Sequence, residues 1–162
     1  MKATELLDLL TDFYRDKLAM RLRHVAAARF VGDYNFNNTY QYVIAREDLQ
    51  LNWLRDAVTD MGGVPPDVPE PSLSPSGKGL SAQTDVLTQD RDGAQAFLDK
   101  WRPKVETLTH ARHRTMLNVI LGETVELRRF FEQALSGRED LLGRRSDGAG
   151  TGGGVLPTRW VE

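Results

Sequence analysis

The chain contains no cysteine, so it has no disulfide framework, no thiolate-held cluster and no thiol nucleophile. It has little net charge: 21 basic against 23 acidic residues give −2, with the two signs interspersed. No basic face stands out that would predict a nucleic-acid partner. Long uncharged apolar runs are missing, so no membrane span is expected. The start, MKATELLDLLTDFYRDK, carries acids within its first dozen residues and does not read as a secretory leader. Nucleotide-binding loops of the G-x-x-x-x-G-K-[ST] or G-x-G-x-x-G kind are absent, as is the G-x-S-x-G elbow of serine hydrolases. Ser76 and Ser81 lie in a Pro- and Gly-rich connection and suggest no nucleophile. What remains is a soluble, cytoplasmic chain of 162 residues, long enough for one domain with its own core.

Apolar residues recur at helical spacing over most of the length, which predicts an all-α fold. The first helix is expected from about Thr4 to Val31, with Gly32 after it. The second is expected from Thr39 to Met61, with Asn38 and Gln41 as a capping box and Gly62-Gly63 as the stop. A short turn between long helices makes them antiparallel neighbours. Residues 63–89, with prolines at 65, 66, 69, 71 and 75, read as an extended connection along the bundle. Asp90 is then a candidate cap for a third helix, which Pro103 interrupts. The junction between the third and fourth helices falls at Pro103 or nearer His110. The fourth helix is expected to end at Gly137.

The most informative feature is a pair of glutamates set among apolar residues. Val43-Ile44-Ala-Arg-Glu47 followed by Leu51 and Leu54 matches Val119-Ile120-Leu-Gly-Glu123 followed by Leu127 and Phe130, 76 residues later. On a helix, positions 44, 47, 51 and 54 share one face, as do 120, 123, 127 and 130. A carboxylate there is costly unless a cation or donors meet it. Counting back from the first turn, Arg21 is the cation expected level with Glu47, as a bidentate partner for Glu47, Glu123 or both. Arg21, Glu47, Gln50, Glu123 and Glu126 are thus expected to form a buried polar network. His24, one turn from Arg21, is expected to pack at the bundle edge.

Two E-x-x-x helices in matching register, four helices and a Pro-rich connection together resemble the ferritin-like superfamily over residues 1–137. In that family each half supplies one glutamate from its first helix and a Glu-x-x-His from its second, and the six side chains hold two iron or manganese ions. Glu47 and Glu123 match the motif glutamates. Gln50 and Glu126 stand where the histidines belong, and Arg21 stands on the first helix where a ligand belongs. An arginine has no lone pair to offer a metal. The resemblance therefore implies a bundle that has lost its di-metal site and serves as a structural, adaptor or accessory subunit, a homo-oligomer or the companion of another protein. The alternative it implies is a di-iron or di-manganese carboxylate oxidoreductase or ferroxidase with altered ligands. Those would come from Glu47, Glu123 and Glu126, with Glu106 and His110 (His113 one turn on) if their helix is continuous.

From 138 the composition changes. A Gly-rich linker leads to the peptide Val155 to Glu162, in which Leu156, Trp160 and Val161 are candidate docking residues for a protein surface.

Overall fold

A computed structural model of the chain describes residues 1–138 and 141; the expected docking peptide with Leu156, Trp160 and Val161 lies outside them. Among the described residues the fold is all-α, with no strand. The helices are α1 (Ala3–Ala28), α2 (Tyr34–Asp60), α3 (Leu80–Glu106) and α4 (Ala111–Leu135). They form a four-helix bundle in which α1 lies beside α2 and α3, and α4 beside α3 and α2. Among the described residues no helix is long and apolar enough to cross a membrane. Shifted by 76 residues, α1 and α2 fall on α3 and α4 to within two residues at each end. The repeat signalled by the two glutamates thus extends to the helix boundaries.

Local chemistry sets those boundaries. Asp33, not Asn38, caps α2: its carboxylate accepts from the Phe36 N–H at 3.0 Å, so the helix starts five residues earlier than expected. Asn37 sits one turn inside and donates to the Ala28 and Val31 carbonyls, both at 3.1 Å, closing the end of α1. At the far end of α2, Gly62 takes a φ of +83° and Gly63 donates back to Val58 at 2.9 Å. A Cβ on Gly63 would meet Leu7 at 2.7 Å, so this glycine also permits α1 to approach.

Two expectations for the second half are corrected. Asp90 does not cap α3, which begins ten residues earlier at Leu80; Asp90 is buried in mid-helix. Pro103 does not break α3 either. It lies in the last turn, where it forfeits one donor and the helix continues only to Glu106. The break comes at Thr107–His110, where His110 Nδ1 accepts from the His113 N–H and caps α4.

Side-chain pairs fix the directions. Trp101 Nε1 donates to Asp16 at 2.9 Å and Arg23 Nε to Asp90 at 2.9 Å, so α1 and α3 are antiparallel. The chain leaves α2 beside Leu7 and enters α3 where Gln83 accepts from the Asp33 N–H, at the opposite end of α1. Residues 61–79 make that passage without helix or strand.

The core has two apolar parts. One holds Leu10, Phe13, Leu54, Phe97, Leu98, Trp101, Leu117 and Ile120, with Phe13 edge-on to both Phe97 and Trp101. The other holds Ala27, Val31, Tyr40, Val43, Val86, Leu127 and Phe131, joined by Leu141. Between them, at mid-bundle, the buried residues are polar: Lys17, His24, Glu47, Gln50, Asp90 and Thr124.

Candidate functional site

The polar layer is built from α1 outward. Lys17 and His24 are seven residues apart, two turns along one face of α1, and both are about 1% exposed. Glu47 of α2, 2% exposed, lies between them. His24 Nδ1 meets Glu47 Oε1 in a short contact, and Lys17 Nζ lies 3.1 Å from Oε2. At that distance the ammonium neutralises the oxygen in a buried ion pair. Burial acts to raise the Glu47 pKa, yet the charges of His24 and Lys17 and their bonds outweigh it and hold the carboxyl below its ordinary range. Burial acts equally to lower His24; the attraction and bond of Glu47, aided by Asp90, overcome it and raise the imidazole. The result is a buried charged triad.

A second cluster joins α1, α2 and α3. The Tyr40 hydroxyl donates to Asp90 Oδ2 and Arg23 Nε to Asp90 Oδ1, while Arg23 Nη2 reaches Gln89 at 2.6 Å. Burial, the Asp90 charge and the bond to it push the Tyr40 hydroxyl well above its ordinary pKa, so it stays a donor. His24 packs edge-on to Tyr40 and tilted against Phe131, at 6.1 and 5.7 Å between ring centres, linking the two clusters.

The third cluster lies between α2 and α4. Arg46 Nε donates to Glu123 Oε1 at 2.9 Å, its Nη2 joins the same oxygen, and Gln50 Nε2 donates to Glu123 Oε2. Here the side chains are partly open: Glu123 is 28% exposed. Above this pair is a cleft of about 260 Å³, lined by Lys17, Glu47 and Gln50 at its floor and by Tyr42, Val43, Leu127 and Phe130 as walls.

Several expected placements change. Arg21 does not reach Glu47 or Glu123; its Nε donates to Asp48 at 2.9 Å on the surface. The cause is the rotation of α1: position 21 lies about 40° around the helix from Lys17 and about 60° from His24, at one edge of their stripe, and the packing turns that edge toward Asp48 at the surface. His24 is a core residue and not an edge one. Glu126 does not join the buried network, since it is 57% exposed and pairs with Arg129 at 3.6 Å. Glu106 ends α3 at the bundle end, and the turn after it removes the continuous helix that would have aligned it with His110. His110 stacks on His113 there, beside Met1 and Met61, far along α2 from Glu47.

Lys17 was missed although its signal was present: a lysine seven residues before a histidine, both within the apolar stripe, is the pattern of a buried basic pair. Asp90 and Tyr40 gave no such signal, since either is ordinary on a helix surface.

The donors do not fit a metal pair. An ammonium already stands against Glu47 and a guanidinium against Glu123, and among the described residues no three His, Asp or Glu side chains gather as ligands. Comparison with protein-family models, with curated proteins and with solved structures returns no match to this chain.

Proposed function

We propose that the chain is a ferritin-like bundle in which fixed protein charge replaces the di-metal centre, and that it works as a structural, adaptor or accessory subunit. The observation carrying this reading is the Lys17 ammonium, buried against Glu47 at 3.1 Å, where a metal would otherwise balance the motif carboxylate. A basic side chain against the carboxylate makes charge balance there independent of metal supply. Residues 61–79 are the crossover that this topology requires, and 1–137 form the bundle to which 138–162 are a tether and docking peptide. Exposed Tyr42, Leu49 and Val119 on α2 and α4 supply apolar surface for self-association or for another protein.

The test is elemental analysis of protein expressed with iron or manganese in excess, alongside melts with and without added metal. Substoichiometric metal and unchanged melting are expected. Stoichiometric iron or manganese, lost in Glu47→Ala or Glu123→Ala, would establish the oxidoreductase or ferroxidase reading instead. For the tail, sedimentation of the full chain against residues 1–138 should show a lower assembly state for the shorter chain if the peptide docks on another copy.

A further inference from the structure

Exposed apolar side chains are not spread evenly over this bundle. Among the described residues, Met1 and Val64 lie off the helices, and Tyr34 and Leu80 each begin one. The remaining large ones, Tyr42, Leu49 and Val119, stand inside α2 and α4 and border a single cleft. Tyr42 lines it, Leu49 follows two turns on along the same face, and Val119 stands two turns before the lining residue Glu126. Partly buried Phe130 meets Tyr42 edge-on at 6.2 Å. Apolar surface gathered in this way favours a covering partner.

The chain carries a segment suited to cover it. Leu141 packs into the part of the core that holds Phe131 and Ala134, which returns the chain to the end of α4. Six of the thirteen residues 142–154 are glycine, and a chain of that composition and length covers roughly 20 Å. From Leu135 back to Phe130 and Leu127 is about 8–12 Å along the helix, within that reach. A short tether holds its peptide at about millimolar effective concentration, so at micromolar protein a second copy competes at a disadvantage of about a thousandfold. Size and charge agree with this occupant. A dry cavity of roughly 150 Å³ accepts benzene, and about 260 Å³ admits the larger indole of Trp160. The rim carries Arg46 and Arg129 with Glu123 and Glu126, and the peptide carries Arg159 and Glu162, so docking brings no excess charge of either sign.

We infer that Val155 to Glu162 docks in the α2–α4 cleft of its own chain, with the Trp160 indole against Tyr42 and Phe130. A protein partner for that face then has to displace the tail. The inference rests on the reading of 155–162 as a docking peptide and is independent of the metal question.

Because the chain has no cysteine, Thr158→Cys gives a single attachment point for a nitroxide beside Trp160. The experiment measures amide signal loss in the nitrogen-15-labelled full chain carrying that nitroxide, with its reduced form as reference. A second sample mixes nitrogen-14 chain bearing the nitroxide with nitrogen-15 chain lacking it. In the first sample the amides of Tyr42, Arg46, Leu127 and Phe130 should lose most of their intensity, unchanged on tenfold dilution. In the mixture they should lose little. Trp160→Ser and Tyr42→Lys, each in the nitroxide-bearing chain, should restore at least half of the lost intensity. Tyr42 is 45% exposed, so its substitution leaves the core intact. Equal loss in the mixture would overturn the inference and keep the docking reading, with another copy as the site. Loss centred elsewhere on the bundle would overturn the cleft and keep a docking tail. No localised loss would overturn the inference together with any docking of the tail on this bundle. Loss that persists in either variant would overturn the contacts assigned to Trp160 and Tyr42.

Discussion

Glu47 and Glu123 occupy the same place in two copies of one sequence pattern, yet the bundle treats them differently. Glu47 is buried between Lys17 and His24, whereas Glu123 is partly open and is held by Arg46 and Gln50 of the adjoining helix. The difference comes from the helix opposite each carboxylate. Moving Lys17, Arg21 and His24 by 76 residues gives Gly93, Phe97 and Lys100, and of those only Lys100 is basic; it bonds Asp16 at the surface. Helix α1 supplies buried cations, and α3 supplies a buried anion, Asp90. With no cation arriving from α3, Glu123 leans to the surface where α2 and water can meet it. Matching motifs therefore do not imply matching sites; the facing helix sets the environment.

The largest expected effect is at Lys17. Lys17→Ala leaves the Glu47 charge underpaired in the core and should cost about 3–5 kcal/mol in denaturant melts. Lys17→Met with Glu47→Leu should recover most of that loss, because two desolvated charges leave together. A loss below about 1 kcal/mol for Lys17→Ala would mean that the two glutamates are alike after all.

A smaller effect should follow pH. The raised His24 pKa means that its contribution is complete below the ordinary value of 6.5 and is lost as pH climbs through the folded value. Glu47, lowered, contributes fully above 4.5 and loses that contribution as pH falls through its folded value. Stability should therefore fall on both sides of a window bounded by these groups. His24→Phe should remove the alkaline limb, and an unchanged alkaline limb in that variant would place its origin elsewhere.

Tyr40→Phe removes one donor from buried Asp90 and should cost about 1–3 kcal/mol by thermal or chemical melting. Smallest of all should be the partly open pairs. Arg46→Ala at Glu123 and Arg21→Ala at Asp48 should each change stability by less than about 1 kcal/mol, since water and salt screen both. A loss at Arg46 comparable with that at Lys17 would show that Glu123 is as desolvated as Glu47, and would erase the contrast.

Much of the fold was legible along the chain. Helical apolar spacing, Gly62-Gly63 and Gly137 mark elements and stops by local backbone physics, and the 76-residue repeat pairs the halves. Starts were harder. Asp33 and Asn38 are both good caps; in the fold Asp33 accepts from the Phe36 N–H, and Asn37, one turn inside, donates to the end of α1. The start of α3 was hidden because Leu80 follows glycines at 77 and 79, and an aspartate at 90 mimics a cap.

The sequence alone determined that Glu47 stands on a buried stripe, because period and neighbours assign that face without reference to any other helix. Which cation answers it was beyond such reasoning. Arg21 and Lys17 lie four residues apart on α1, and a rotation of the helix about its axis by about 40° exchanges one for the other. Only packing against α2 and α3 fixes that rotation, placing Lys17 inward and Arg21 on Asp48. The same packing left Glu123 partly open, because burial of a charge depends on what the facing helix brings to meet it.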